Sequence, residues 1–275
     1  MTQEKRIAIA QHTLQILAQG YYINNEGEQI DISVLQHSAV NGTRLSTPGD
    51  LEALLANANT TSRYTTQFEV INETTLDASR RLVAAGNEKV LCLNFASAKN
   101  PGGGFLGGAL AQEECIARAS GLYPCLLQAP EYYATHRANR SCIYSDHMIY
   151  SPAVPILKDE EGDLLPQPVC VSIITSAAVN AGVVHQQQKS RIPEIIPAMR
   201  TRIEKLLALC RHKQYETLVL GAWGCGVFRN NPEDIAALFH EALNGKFAGY
   251  FKNIVFAVKT NKTEIIEPFQ KRFQY

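Results

Sequence analysis

Apolar positions recur with helical spacing over residues 3–19, where Ile7, Ile9, Leu14, Ile16 and Leu17 form a loose stripe and Gly20 suits the stop. Tyr21–Ile23 and Gln29–Ile32 flank the polar run Asn24-Asn25-Glu26-Gly27-Glu28, which predicts a hairpin. Pro48-Gly49-Asp50 opens a further helix through about Ala58, with Asp50 placed to cap it. Residues 1–64 therefore read as an accessory helical and hairpin extension ahead of the main fold.

From about residue 67 short apolar runs alternate with helical stretches. Strands are expected at Phe68–Asn72, Val90–Phe95, Ala153–Lys158, Val169–Thr175, Leu218–Ala222 and Ile254–Val258. Helices are expected at Thr74–Ala85, from about Ala109 to Ala138, at Pro193–Lys213, and at Pro232–Leu243 behind Asn231. The polar turn Asp159–Gly162 joins two of the strands. Such alternation predicts an α/β sheet with helices on both faces. With no internal repeat and no low-complexity linker, the chain is read as one catalytic domain: a core over 65–260 and a tail over 261–275.

Charge narrows the partners. Lys plus Arg and Asp plus Glu stand at 26 each in 275 residues. No basic surplus exists for a general nucleic-acid coat, although a local basic patch stays compatible with this balance. The longest apolar runs, such as Leu91–Leu93 and Leu218–Leu220, fall far short of the roughly 20 residues of a membrane span. Met1-Thr2-Gln3-Glu4-Lys5-Arg6 leads into an amphipathic stretch rather than a signal-peptide core. Seven cysteines without a Cys-x-x-Cys pair argue against disulfide scaffolding and zinc clustering, and suit the cytoplasm.

Two of the expected strands end in glycine loops. One carries Asn100-Pro101-Gly102-Gly103-Gly104, the other Gly221-Ala222-Trp223-Gly224-Cys225-Gly226-Val227-Phe228. Glycine lets backbone approach a ligand, and a helix N-terminus beyond such a loop offers unpaired N–H groups to an anion. Ligands of open α/β sheets sit beyond the carboxyl ends of strands. Two such loops can grip a diphosphate from both sides. A side chain at Gly103 or Gly226 is expected to intrude on that diphosphate or to demand a disfavoured φ. Taken singly, either loop is equally an ordinary strand-to-helix turn. Neither is a Walker A motif or a clean Gly-x-Gly-x-x-Gly.

Gln112-Glu113-Glu114 follows Gly104 after a seven-residue spacer, at the start of an apparent helix. Acidic residues are commonplace in a first turn, and only the position beyond a phosphate-type loop sets this triplet apart. Neighbours on a helix point roughly 100° apart, so Glu113 and Glu114 cannot share one task. Cys225 has no histidine near it in sequence and reads as small-residue packing. Trp223 reads as a packing residue that shapes its loop. Lys99 and Arg118 are candidates for phosphate contact, with a solvated surface charge as the commoner fate. The seven histidines show no metal-ligand spacing, and neither a metal nor a cofactor is expected.

The composite Gly102-Gly103-Gly104, spacer, Gln112-Glu113-Glu114 resembles the signature of poly(ADP-ribose) glycohydrolases, closest to their compact bacterial and fungal branch. Asn94–Pro101, Arg118–Leu126, Tyr150–Pro155 and Gly221–Phe228 share the likeness, which covers roughly residues 65–260. One departure lies in Ile174–Asn180, where that pattern has a proline at or near Ala178.

The resemblance implies a macrodomain-like three-layer α/β/α fold with a mixed central sheet, and cleavage of ribose–ribose bonds of poly(ADP-ribose), mainly from the free end, releasing ADP-ribose. It implies Glu114 as acid/base and Glu113 as the partner of the scissile-side ribose. Gly102–Gly104 and Gly224–Phe228, with Cys225, Gly226 and Val227 between, would hold the diphosphate. Phe228 would pack on ribose, Asn100 would bond ribose hydroxyls, and Gln112 would join the substrate site. The leaving oxygen needs a proton from Glu114; the helix start opposes its holding one, whereas burial and a bound diphosphate favour it. Two rivals stay open: a reader that binds ADP-ribose without cutting, and a hydrolase of another ADP-ribosyl linkage on protein, nucleic acid or a metabolite.

Overall fold

Val90-Leu91-Cys92-Leu93 forms the centre of the main sheet because its alternate residues are apolar on both sides. Leu91 and Leu93 enter one apolar cluster, Val90 and Cys92 the other. The computed structural model describes residues 1–57 and 62–274. In chain order the elements are α1 (Gln3–Gln19), β1 (Tyr21–Ile23), β2 (Gln29–Asp31), α2 (Ser33–Gly42), β3 (Arg44–Ser46), α3 (Pro48–Ala56), β4 (Gln67–Ile71), α4 (Thr75–Ala84) and β5 (Val90–Phe95). There follow α5 (Gln112–Ala119), α6 (Leu122–Leu126), α7 (Pro130–Ala138), β6 (Met148–Lys158), β7 (Leu164–Ser176), α8 (Ala181–Gln187), α9 (Ile195–His212), β8 (Thr217–Leu220), α10 (Pro232–Asn244), β9 (Asn253–Ala257) and α11 (Thr263–Phe273).

The main sheet has the order β3-β6-β7-β5-β8-β9-β4. β7, β5, β8, β9 and β4 run parallel, while β6 is antiparallel to both β7 and β3. Residues of α3, α9, α10 and α11 pack on one face, and residues of α4, α5, α6 and α7 on the other. This is the expected three-layer α/β/α arrangement with a mixed sheet. The parallel order puts the carboxyl ends of β5 and β8 side by side, so both glycine loops emerge at one edge.

Several elements differ from the sequence reading. The predicted hairpin forms as β1-β2, but the stretch after it contributes β3 to the main sheet and is not wholly an accessory layer. β6 and β7 extend well beyond 153–158 and 169–175. Register shifts at Ser151/Val154 and Ile156/Lys158 interrupt the period-2 signal that would have announced them. The helices expected from about Ala109 to Ala138 are three, separated at Ser120, which bridges Ile156, and before Pro130, which starts α7. Thr47, not Asp50, is the N-cap of α3; Asp50 completes its capping box. The reach of that helix to Ala58 lies outside the described residues. The tail forms α11, whose Phe273 stacks on Phe256 with ring centroids 4.4 Å apart.

Candidate active site

β5 delivers the first loop. Past Phe95 the chain turns on Ser97, whose Oγ accepts from the Asn100 N–H at 3.1 Å, and the Asn100 carbonyl accepts from Gly103 N–H at 3.0 Å. Gly103 has φ +60°, and a Cβ there would run into the Glu114 carboxylate. Gly102 lies behind the lining, against Phe105 and Ala117. The N-terminal helix braces this loop from outside: Gln3 Nε2 donates to the Gly107 carbonyl at 2.8 Å and Arg6 Nε to that of Gly108 at 2.6 Å.

The three residues of the triplet face three ways. Gln112 uses its amide on β5, accepting from Phe95 N–H at 2.8 Å and donating to the Leu93 carbonyl at 2.7 Å and to Thr75 Oγ1 at 3.0 Å. Glu113 points inward and is only 3% exposed. Its Oε2 accepts from Ser97 N–H at 2.6 Å and its Oε1 from Asn94 Nδ2 at 3.2 Å. Burial pushes its carboxyl up to about 8, helped by the neighbouring Glu114 and opposed by the Ser97 and Asn94 donors. Glu114 is half-buried at the cleft, where its Oε1 accepts from Gly104 N–H at 2.9 Å.

β8 delivers the second loop. Trp223 is fully buried and donates from Nε1 to the Ser176 carbonyl at 3.2 Å, a packing role. Gly224 has φ +75°, and a Cβ there would meet Ala178 and Asn230. Ala178, at or near which the resemblance implies a proline, thus lies directly against this loop. Burial pushes the Cys225 thiol up to about 12, which leaves it a poor nucleophile. At Gly226 the φ is not left-handed and an added Cβ would meet nothing, which removes the backbone arm of the expectation and leaves intrusion on a ligand as the other. Val227 is 77% exposed. The Phe228 ring lies 6.0 Å from that of Tyr144, and its carbonyl accepts from Gly182 N–H at 2.9 Å.

Between the loops lies a cavity of about 890 Å³, within the size range of ligand pockets. Asn100, Gly103, Gly104, Gln112, Glu113, Glu114 and Gly224 through Phe228 all line it. So do residues the sequence reading did not select: Glu73 and Asp77 near the start of α4, Glu160 and Glu161 of the β6–β7 turn, and Val258, Lys259, Thr260 and Ile265 at the C-terminal side. Among the described residues none before Glu73 lines it. Arg118 is buried, not solvated, and donates to the Ala109 carbonyl at 3.0 Å. Lys99 is exposed beside Asn100.

The model of the microbial-type PARG catalytic domain matches residues 10–159. Among curated proteins none matches the chain. The structure of poly(ADP-ribose) glycohydrolase from Thermomonospora curvata is 44% identical over 98% of this chain and 100% of that one, with a TM-score of 0.94. The same enzyme bound to the inhibitor ADP-HPD superposes with a TM-score of 0.91 at the same identity and coverage. The poly(ADP-ribose) glycohydrolase of Deinococcus radiodurans in complex with ADP-ribose is 45% identical over 87% of this chain and 97% of that one, with a TM-score of 0.84. With its macrodomain-like fold and paired glycine loops, the chain belongs to the microbial-type poly(ADP-ribose) glycohydrolases, a family of glycoside hydrolases.

Proposed function

We propose that this protein hydrolyses the ribose–ribose O-glycosidic bonds of poly(ADP-ribose) and releases ADP-ribose, with Glu114 as the acid/base. The carrying observation is the Glu114 carboxylate, held by Gly104 N–H on the wall of a cleft framed by two glycine loops. The diphosphate lies between the loops, bonded by main-chain N–H groups and passing over Gly226, where no side chain intrudes. The distal ribose then lies over Glu113 and Glu114, with the Phe228 ring against it and Asn100 near its hydroxyls. Gln112 acts through β5 rather than on the substrate, since its amide is already bonded there.

Bond breaking passes through an oxocarbenium-like state at the ribose anomeric carbon. Glu114 donates its proton to the departing O2′, and the resulting carboxylate takes a proton from the attacking water. Glu113, kept neutral by burial, holds a ribose hydroxyl without adding a second negative charge beside the diphosphate. No cofactor enters this scheme. The polymer, or an ADP-ribosylated protein bearing it, is the partner, with ADP-ribose as product ligand and no general nucleic-acid binding.

The cysteines among the described residues are all unpaired, which supports a reducing cytoplasmic setting. Among those residues no helix is long and apolar enough to cross a membrane. The deciding experiment compares products from poly- and mono-ADP-ribosylated substrates. Release of ADP-ribose from polymer, with the protein-linked unit left in place, is expected. Equal release from both would assign a broader ADP-ribosyl hydrolase.

A further inference from the structure

Four chain segments meet beside the catalytic end of the cleft, and none contains an acidic residue. Residues 95–112, 132–145, 177–193 and 217–232 hold no Asp or Glu, in a chain whose opposite charges are equal in number over its full length. They carry Lys99, Arg137, Arg140, Lys189, Arg191 and Arg229. Hydrogen bonds stitch them together: Arg137 Nη1 donates to the Lys99 carbonyl at 2.7 Å, Gln188 Nε2 to that of Arg140 at 2.8 Å, Asn180 N–H to that of Cys142 at 2.9 Å and Gly182 N–H to that of Phe228 at 2.9 Å. Arg191 pairs with Glu194 at 2.8 Å. Lys99, Arg137, Arg140, Lys189 and Arg229 are exposed, and among the described residues none forms an ion pair. Elsewhere the cavity lining carries Glu73, Asp77, Glu160 and Glu161, with Lys259 as its one cation among the described residues.

We infer that this basic face is a subsite for the polymer on the leaving-group side, binding the diphosphate of the ADP-ribose unit next to the one being cut off. The inference rests on the glycohydrolase reading above. With the terminal unit's diphosphate between the glycine loops and its distal ribose at Glu114, the departing O2′ belongs to the neighbouring unit. That unit's own diphosphate is one ribose away and lies outside the cleft. Its exit passes Asn100 and Phe228, each next in sequence to an exposed cation, Lys99 and Arg229. A polyanion threaded the other way would meet the four carboxylates. Charge therefore sets chain direction: terminal unit inside, remainder across the basic face. Exposed cations act here through a screened attraction that raises encounter and affinity and leaves the bond-breaking step alone.

The test uses a Lys99→Glu/Arg140→Glu double variant of the full chain. Arg137 is left intact because its guanidinium holds the Lys99 carbonyl. Two substrates are compared: long polymer, and an ADP-ribosyl conjugate with an uncharged leaving group. For polymer at low salt, KM is expected to rise about tenfold with kcat unchanged, given the modest strength of exposed charge contacts. The fall of kcat/KM with added salt is expected to become shallower, and kinetics on the conjugate to stay as in wild type. An unchanged polymer KM overturns the subsite, as does equal damage on both substrates, which would mean a disturbed loop. Failure of the wild-type protein to cut either substrate is a separate result and overturns the glycohydrolase reading beneath it.

Discussion

The main-chain N–H of Gly104 lies 2.9 Å from Oε1 of Glu114, so the glycine loop that frames the cleft also aims the proposed acid. One residue earlier, Glu113 points inward and is buried on Ser97 and Asn94 at the floor of the same cleft. Consecutive glutamates in one helical turn thus occupy different electrostatic surroundings, one at the cleft and one beneath it. That separation supports the proposal that Glu114, at the cleft, transfers the proton.

Glu114→Gln is expected to lower the single-turnover rate by at least about 10²-fold, the lower end of what general acid–base catalysis contributes. The amide keeps an oxygen for Gly104 N–H, so calorimetric titration should give an ADP-ribose Kd close to wild type. A variant that retains more than about a tenth of the rate, a loss far below that general range, would remove Glu114 from the acid role.

The two glycine loops respond differently to an added side chain. At Gly226 the fold has room, so Gly226→Val should unfold at the wild-type temperature, as surface substitutions change stability by only about 0.5 kcal/mol. Its ADP-ribose binding should be lost, because the new methyl groups occupy the diphosphate path. At Gly103 even alanine meets the Glu114 carboxylate and a left-handed φ, which costs about 1–2 kcal/mol. Gly103→Ala should therefore lose both stability and turnover. Unchanged ADP-ribose affinity in Gly226→Val would make the second loop a turn and nothing more.

How far this site can be read from sequence depends on the range of the interaction. β5, the two glycine loops and the triplet are local signals: a short apolar run, clustered glycines, acids at a helix start. Gln112 is different. Its partners Phe95, Leu93 and Thr75 come from 17 to 37 positions away, and the residue type alone does not distinguish a brace from a ligand contact. Arg118 reads as a surface charge until α5 packs it inward onto Ala109. β3 is three residues long and has no periodicity of its own; pairing with β6 creates it. The bracing of the first loop by Gln3 and Arg6 spans about a hundred residues and leaves no pattern in the chain.

Glu113 gives the fold a pH dependence opposite in sign to that of an ion-paired carboxylate. Its ordinary value is 4.5, and in the folded protein burial raises it to about 8. Between these values the native state keeps a proton that the unfolded chain has released. The stabilisation is complete below the unfolded value and declines as pH rises towards the folded one, at up to roughly 1.4 kcal/mol per pH unit. Urea midpoints of the wild type should therefore fall between pH 5 and pH 8, and Glu113→Gln, which cannot ionise, should fall less. Parallel curves for the two proteins would mean that Glu113 is already charged in the native state.

The last expectation is exo cleavage. Such a mode needs a cover over the adenosine end of the cleft, and the stretches 1–60 and 260–275, at the two ends of the sequence, are the material to compare for it. None of the described residues of the first stretch lines the cavity; α1 lies outside, against the first glycine loop. From the second stretch, Thr260 and Ile265 do line it, together with Val258 and Lys259, so the C-terminal side of the fold walls that end. An internal polymer segment would have to continue from the adenosine ribose through this wall and then past Glu73, Asp77, Glu160 and Glu161. A terminal unit needs neither passage, because its adenosine ribose carries a free hydroxyl. Brief digestion of long polymer should therefore release monomeric ADP-ribose while the residual chains stay long. A spread of oligomers before monomer accumulates would show that internal segments enter, and that the C-terminal wall opens to admit them.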